Sequence, residues 1–258
     1  MTVHDPAARP LGGRRALVTG SSRNLGAEIA RTLAAQGARV AVTYHGSAAE
    51  AHALVAEMSE ATGVPHVAVE GDLATPDGAR MVVERALAEL GRVDILINNF
   101  GPFSMVPFHR LPYEEWEHVW RGNVTSAYLA TQLVVPGMRE NGWGRIVNLS
   151  AGSAYLRNHS IYGLAKEALI TLTESLALEL GPEITVNAVA PGQIEESAGD
   201  IGEVDPTFVA RALERTPAGR LVTRAEVARV VALLCTPTFD MLTGAVLPLD
   251  GGWRFNRF

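Results

Sequence analysis

The chain has 258 residues, of which 47% are hydrophobic and 19% are charged, and its formal net charge is −6. This length suits one large domain with a sizeable core, and the composition is that of an ordinary globular protein. Because the charge balance is acidic, no basic surface is available to neutralise a phosphate backbone, which argues against nucleic acid and favours small molecules as partners. A single cysteine, Cys235, excludes an internal disulfide.

The first thirteen residues, MTVHDPAARPLGG, place His4, Asp5 and two prolines where a signal peptide needs an uninterrupted apolar stretch. No later run approaches the roughly 20 apolar residues of a membrane helix. We therefore expect a cytoplasmic protein that does not bind a membrane. It should have a flexible tail over residues 1–13 and a single domain over residues 14–258.

Short runs rich in β-branched residues alternate with longer runs of helical character along the chain. Strands are predicted at 15–19, 38–43, 66–70, 93–97, 145–149, 184–190 and 245–250. Helices are predicted at 24–36, 47–61, 76–90, 113–135, 160–180 and 224–235. Apolar strands that alternate with helices form parallel sheets covered on both faces, with right-handed crossovers. The sequence thus predicts an α/β chain, a single-domain Rossmann fold with a doubly wound, seven-stranded parallel sheet and helices on both faces.

Small and polar residues follow several of these strands, as a ligand cleft at the carboxyl edge of a parallel sheet requires. After the first strand, the sequence TGSSRNLG leads directly into a helix. Its glycines allow backbone amides and the helix N-terminus to approach a pyrophosphate. The residues of this glycine turn expected to contact a dinucleotide are Gly20, Ser22, Arg23, Asn24, Leu25 and Gly26.

Further motifs accompany the glycine turn. They are Asp72 in GDLA, the run Asn98-Asn99-Phe100-Gly101, Asn123 in GNVTS, Tyr162 and Lys166 in Y-x-x-x-K, Pro191-Gly192 and the closing LDGG. With these motifs the chain resembles the short-chain dehydrogenase/reductase family from about residue 13 to residue 252, in the ketoreductase-like branch of 3-oxoacyl reductases and pteridine reductases. The family's glycine motif has another glycine where this chain has Asn24. Asparagine is, after glycine, the residue best able to adopt a left-handed backbone conformation, so the change should be tolerated.

Tyr162 and Lys166 are four residues apart and so share one face of a helix. An ammonium beside a tyrosine favours the phenolate, which should bring the hydroxyl pKa from about 10 toward neutral pH. The resemblance implies that Tyr162 protonates the carbonyl oxygen during reduction and that Lys166 also hydrogen-bonds the nicotinamide ribose. It further implies that Asn123 holds a water that links Lys166 to solvent.

Two positions depart from the family's pattern. The family has a serine at the end of the fifth strand that hydrogen-bonds the substrate oxygen. In RIVNLSAGS, Ala151 occupies that position, which leaves three alternatives: Ser150, which we favour, Ser153, or neither. After the sixth strand, Glu196 stands where the family often has a threonine that contacts the carboxamide, and the backbone of Ile194 is expected to keep the usual contact there.

The resemblance implies NADP(H) as the cofactor, and the residues after the second strand favour the phosphorylated form. NAD-binding sites of this fold place an acidic residue about 20 positions after the first glycine, whereas this chain has no carboxylate there before Glu50. Arg23, with Ser47 and His45, is expected to bind the 2′-phosphate. The other cofactor contacts that the resemblance implies are Asp72, Leu73, Asn99, Phe100, Gly101, Tyr162, Lys166, Pro191, Gly192 and Ile194.

Aromatic and apolar residues at expected cleft positions suggest a bulky apolar or aromatic ketone as the substrate. They are Phe103, Phe108, Tyr155, Leu156 and Phe255. Residues 195–215 suit a lid over the substrate. The stretch TYHGSAAEA resembles pteridine reductases, so a pteridine or imine-type reductase is the alternative enzyme. A non-catalytic NADP(H)-binding sensor is the alternative outside catalysis.

The remaining expectations concern metals and assembly. His45, His109 and His159 have no metal-ligand spacing with one another or with Cys235, so no catalytic metal is expected, and His118 is expected to be an ordinary surface or core residue. The family commonly pairs its long helices across two-fold axes, which implies a homotetramer or homodimer. The apolar residues expected at that contact are Leu169, Leu172, Leu176 and Leu180.

Overall fold

The computed structural model describes residues 9–156, 160–198 and 207–255. Within these ranges seven strands form one sheet: β1 (Arg15–Val18), β2 (Arg39–Tyr44), β3 (Val67–Glu70), β4 (Ile95–Asn98), β5 (Gly144–Leu149), β6 (Ile184–Pro191) and β7 (Val246–Leu249). Their order is β3–β2–β1–β4–β5–β6–β7, and every neighbouring pair is parallel. The strand order reverses between β1 and β4, which is where ligands bind in sheets of this kind.

The helices of the described ranges lie on the two faces of the sheet. They are α1 (Asn24–Ala35), α2 (Ala48–Thr62), α3 (Pro76–Leu90), α4 (Tyr113–Trp120), α5 (Ser126–Glu140), α6 (Ser153–Leu156), α7 (Ile161–Leu180), α8 (Phe208–Arg215) and α9 (Arg224–Leu234). One core layer joins α1, α2 and α9 to the sheet through residues such as Leu33 and Val231. The other joins α3, α5 and α7 through residues such as Val82 and Leu129. The predicted doubly wound Rossmann fold is confirmed.

Side-chain caps fix where the two helices nearest the site begin. The Ser160 side chain accepts a hydrogen bond from Gly163 N at 3.1 Å, so α7 starts at Ile161 and Tyr162 lies in its first turn. Thr223 and Glu226 form a reciprocal capping box at the start of α9. These caps satisfy amides that a helix N-terminus otherwise leaves without a partner.

The segment predicted as one helix over 113–135 is divided. α4 is followed by a π-helical turn over Arg121–Thr125, and α5 then continues to Glu140 with Pro136 inside it. Apolar periodicity does not distinguish an α-helix from one that contains a single π turn, because only one residue is added. Such turns occur frequently at functional sites, and this one contains Asn123.

Two smaller expectations were wrong. Residues 9–13 do not belong to a tail: Leu11 is fully buried in the core, and its amide donates to Gln36 O at 3.0 Å. Residues 1–8 lie outside the described ranges. On α7, Leu169 and Leu180 face the core with 1% and 2% exposure, so they are not available for a subunit contact.

Candidate functional site

Two neighbouring clefts lie at the carboxyl edge of the sheet. The larger one, of about 340 Å³, lies between the glycine turn and the ends of β2 and β3. The smaller one, of about 140 Å³, lies at the ends of β4, β5 and β6. Gly101 lines both clefts, so they adjoin near the point where the strand order reverses, and the two together are called the groove.

The glycine turn is shaped by residues that permit close backbone approach. Asn24 has φ 53°, the left-handed conformation predicted for it. A side chain at Gly26 would meet Gly20 O at 2.3 Å, so only glycine fits there. The side chain of Asn99 stabilises the turn, because its Nδ2 donates to Thr19 O and Gly20 O at 2.9 Å each. The Asn99 amide group therefore fixes the backbone of the glycine turn.

The larger cleft contains the residues predicted to bind the adenosine half of a dinucleotide. Predicted residues that line it are Gly20, Ser22, Arg23, His45, Ser47, Asp72, Leu73, Phe100 and Gly101. The hydroxyls of Ser22 and Ser47 are hydrogen-bonded to each other at 2.7 Å. Arg23 is exposed at the cleft and forms no ion pair within the described part of the chain. Its guanidinium is thus available to an anion.

Sequence reasoning missed six of the residues that line this cleft, which are Thr43, Tyr44, Gly71, Ala74, Pro102 and His118. His118, expected to be an ordinary surface or core residue, lines it; its position on the long helix carries no motif that marks a ligand contact. Thr43, the penultimate residue of β2, also lines it, and its Oγ1 accepts a hydrogen bond from Gly20 N at 2.7 Å. The sequence does give one indication of this contact, which is a threonine near the end of a buried strand beside the glycine turn.

The smaller cleft brings together three of the four predicted catalytic residues, Ser150, Tyr162 and Lys166, and most of the predicted nicotinamide contacts. It is lined by Leu25, Asn99, Gly101, Leu149, Ser150, Ala151, Tyr162, Lys166, Pro191, Gly192 and Ile194. The Lys166 ammonium lies 5.4 Å from the centre of the Tyr162 ring and donates to Leu149 O at 2.7 Å. The lysine is 3% exposed, so its ammonium group is shielded from bulk solvent.

The pKa of Tyr162 is shifted in the opposite direction to the one predicted. Burial raises the pKa of its hydroxyl to about 12, because it disfavours the charged phenolate. Burial also lowers the pKa of the Lys166 ammonium to about 7. The spacing of the two residues was read correctly, but desolvation outweighs the attraction between their charges.

Asn123 and Gly101 form a polar niche next to the lysine. Asn123 Nδ2 donates to Pro102 O and to Val119 O, each at 2.9 Å. Its Oδ1 is buried without a hydrogen-bond partner among the described residues. A side chain at Gly101 would meet that oxygen at 2.1 Å and Lys166 Nζ at 3.1 Å. A buried acceptor and a buried donor thus both lie close to Gly101, where no side chain has room.

The two candidate serines are placed differently. Ser150 lines the smaller cleft, but its hydroxyl donates to Lys166 O at 2.8 Å. Its single hydrogen is therefore used within the protein, which weakens the prediction that Ser150 donates to a substrate. Ser153 Oγ is buried and has no partner among the described residues. Ala151, at the usual serine position, lines the cleft with a methyl group.

Aromatic residues border the smaller cleft. The ring of Phe103 meets Tyr162 edge to face, with 4.8 Å between ring centroids, and 55% of its surface is exposed. Trp253 lies against Gly152, the residue after Ala151 of the cleft lining, and Arg254 lies 5.5 Å from the Tyr155 ring centre and 4.5 Å from the Phe255 ring centre. Of the predicted lid, residues 199–206 are outside the described ranges, and α8 follows them.

The residues that the structure describes include no helix long and apolar enough to cross a membrane. In the same ranges, no group of three or more His, Cys, Asp or Glu side chains is placed to hold a metal ion. His159 lies outside them. Cys235 is buried, and burial raises the pKa of its thiol to about 12.

Comparisons with known proteins agree on one family. A family profile described as enoyl-(acyl carrier protein) reductase matches residues 20–254. The 3-oxoacyl-(acyl-carrier-protein) reductase of Aquifex aeolicus is 36% identical over 246 residues, covering 94% of this chain and 98% of that protein. A blue fluorescent protein from a metagenomic library, solved in complex with NADPH, has a TM-score of 0.85 at 36% identity, covering 95% of this chain and 99% of that one.

A second solved structure is similar over almost the whole chain. It is a 7α-hydroxysteroid dehydrogenase complexed with NADH and 7-oxo glycochenodeoxycholic acid. Its TM-score is 0.89 at 30% identity, and the match covers 97% of this chain and 98% of that one. Together with the Tyr-Lys pair, the glycine turn and the parallel sheet, these matches show that the chain belongs to the short-chain dehydrogenase/reductase family of oxidoreductases.

Proposed function

We propose that the chain is an NADPH-dependent reductase that transfers hydride to the carbonyl of a bulky apolar or aromatic small molecule, with Tyr162 as the proton donor. The observation that carries this proposal is the smaller cleft. Tyr162, the buried Lys166, Gly192 and Ile194 line it together, and it adjoins the larger cleft, which the glycine turn lines. The solved relative with a bound 7-oxo steroid supports a bulky apolar ketone.

Different residues of the groove would bind the cofactor and transfer the proton. The glycine turn and the N-terminus of α1 would hold the pyrophosphate, and Ile194 would hold the carboxamide. When bound, the cofactor supplies the hydride. Tyr162 donates the proton of its hydroxyl to the substrate oxygen. Lys166 orients the ribose and, as an ammonium, stabilises the phenolate left on Tyr162, while the niche at Asn123 connects the lysine to solvent.

NADPH rather than NADH is proposed from the adenosine end of the groove. Arg23, Ser47 and His45 line the larger cleft, and no carboxylate follows β2 before Glu50, so the acidic residue that NAD-binding sites place there is missing. Asp72 is the one carboxylate among the described residues that line this cleft, and its Oδ1 accepts from Ala74 N at 2.9 Å. A charge-assisted hydrogen bond contributes roughly 1.5–3 kcal/mol. Arg23→Ala should therefore weaken NADPH binding by about 10- to 100-fold and leave NADH nearly unchanged. Equal losses for both cofactors would overturn the preference.

A second candidate activity is reduction of a carbon–nitrogen double bond, as in a pteridine or imine. The observation that favours it is a shortage of hydrogen-bond donors to the substrate. Ala151 replaces the usual serine, and the hydroxyl of Ser150 already donates to Lys166 O. A ketone oxygen that becomes an alkoxide benefits from two donors, whereas an imine nitrogen needs one proton, which Tyr162 supplies.

One experiment separates these functions. The protein is incubated with NADPH and, in turn, aromatic ketones, acyl thioesters, pterins and cyclic imines, while cofactor absorbance is followed. Turnover of ketones supports the first proposal, and turnover of only pterins or imines supports the second. Tight NADPH binding without turnover of any panel would instead favour the NADP(H)-binding sensor.

We also propose a homodimer or homotetramer formed through α5 and α7. On these helices Tyr128, Leu164 and Leu178 are 47%, 39% and 91% exposed, an apolar surface that a second copy would cover. Light scattering at micromolar concentration tests this, and a monomeric mass would contradict it.

A further inference from the structure

The segment that follows β6 is fastened to the N-terminus of α9 by Glu196. Both carboxylate oxygens of Glu196 accept from the Arg224 amide, at 3.2 and 3.1 Å. Arg224 is the first residue of α9, and its amide is one of those that a helix leaves without an intrahelical partner. The guanidinium of Arg224 in turn donates to Glu196 O at 3.3 Å and to Ser197 Oγ at 3.2 Å.

The helix strengthens this contact electrostatically. A negative charge at a helix N-terminus interacts favourably with the aligned peptide dipoles. Glu196 thus combines a hydrogen-bond acceptor with a charge of the favourable sign. The neighbouring Glu195 is also exposed, but its side chain makes no hydrogen bond within the described residues, although its amide does.

The fastened segment contains a wall of the smaller cleft. Ile194, which lines that cleft, forms an isolated parallel bridge with Val222, and the amide of Glu195 donates to Val222 O at 2.9 Å. Two backbone contacts at residue 222 and the carboxylate contact at residue 224 therefore hold the same short stretch. Removing the carboxylate leaves the backbone contacts at Val222 and the two hydrogen bonds of the Arg224 guanidinium, but it removes the contact with the helix N-terminus.

We propose that Glu196 is a positioning residue for the nicotinamide half of the cofactor, because it holds the backbone of Ile194 in place before the cofactor binds. The residue does not touch the cofactor; it acts through Ile194. At the position where the family often has a threonine for the carboxamide, this chain has a side chain directed toward α9. The inference rests on the proposed cofactor function of the groove.

The test compares a whole cofactor with a fragment that lacks nicotinamide. Titration calorimetry would measure the affinity of the full chain for NADPH and for adenosine 2′,5′-bisphosphate, which occupies only the larger cleft. Glu196→Ala should weaken NADPH on the order of 10-fold, the scale of a lost charged contact at a helix terminus, and change the bisphosphate by less than about 2-fold. Glu196→Gln retains an acceptor oxygen and should recover most of the affinity. Glu195→Ala is the matched control, with the same charge change and no lost side-chain hydrogen bond.

The outcomes separate the inference from the proposed function. Equal losses for NADPH and the bisphosphate, no loss in Glu196→Ala, or the same loss in Glu195→Ala would each overturn the positioning role alone. If the parent binds NADH more tightly than NADPH, the proposed cofactor preference fails, and the same comparison with NADH and adenosine monophosphate decides the role of Glu196. A parent that binds no nicotinamide cofactor overturns both.

Discussion

Acidification should destabilise the protein through His66, which is buried between β2 and β3. Its Nδ1 accepts from Val40 N at 3.0 Å, and its Nε2 lies 3.1 Å from Thr62 Oγ1. An Nδ1 that accepts from a backbone amide cannot also carry a proton, so the ring must be neutral. Burial, with a smaller effect of the nearby Arg39 charge, lowers the pKa of His66 from 6.5 to about 4.

The magnitude follows from the difference between the folded and unfolded pKa values. Between pH 6.5 and about 4 the unfolded chain binds a proton that the folded chain does not. Stability is therefore complete above pH 6.5 and falls as the pH is lowered through this window. The expected loss from His66 is about 2 kcal/mol at pH 5 and about 3 kcal/mol below pH 4.

The assay is urea unfolding of the parent and of His66→Asn at pH 7.5 and pH 5.0. The asparagine Oδ1 can still accept from Val40 N, but it does not titrate. Protein concentration is held fixed, because assembly also contributes to stability. The parent should lose about 2 kcal/mol more than the variant between the two pH values. If the two proteins lose the same amount, His66 is not the group that titrates and the reasoning is refuted.

Three further predictions concern the site. Tyr162→Phe should lower turnover by ~10²–10⁴, the scale of general acid catalysis, while NADPH binding measured by calorimetry stays nearly unchanged; unaltered turnover would remove the residue from the mechanism. Ser150→Ala should slow reduction more than Ser153→Ala, because it also deletes the hydroxyl that donates to the lysine backbone; steady-state rates showing the reverse order would assign the role to Ser153. Gly101→Ala should abolish activity, since its new carbon would lie 2.1 Å from a buried amide oxygen. The control Gly137→Ala, with open space around it, should retain activity in the same assay.

Much of the fold was predictable because it depends on patterns that the chain repeats. Each strand of the sheet is an apolar run bounded by glycine or polar residues, and the alternation with helices leaves few topologies to consider. The conformation of Asn24 was predictable for a similar reason, because few residue types adopt φ 53° at that point of the turn. Both the fold and the conformation of Asn24 therefore follow from short stretches of sequence.

The sequence did not indicate contacts that depend on distant neighbours. Leu11 looked like part of a tail, yet it is buried through a contact with the end of α1. The side-chain direction of Ser150 is set by Lys166 O, sixteen residues away on another element. His118 lies on α4 and lines the cleft together with residues that follow β1, β2, β3 and β4. None of these contacts has a signal within a short window of sequence.

In the proposed mechanism, the pKa values of the Tyr-Lys pair make the protonation state of Lys166 decisive. When Tyr162 gives its proton to a substrate, it must become a phenolate in a place where burial raises the pKa of the hydroxyl to about 12. The charged group beside it is the ammonium of Lys166, 5.4 Å from the ring centre, and burial lowers the pKa of that ammonium to about 7. A neutral amine cannot stabilise a phenolate by charge, so reduction requires the protonated lysine. Negative charge brought into the groove favours that form. In the same proposal, the buried oxygen of Asn123, which lies close to Gly101, would hold the water through which Lys166 recovers a proton.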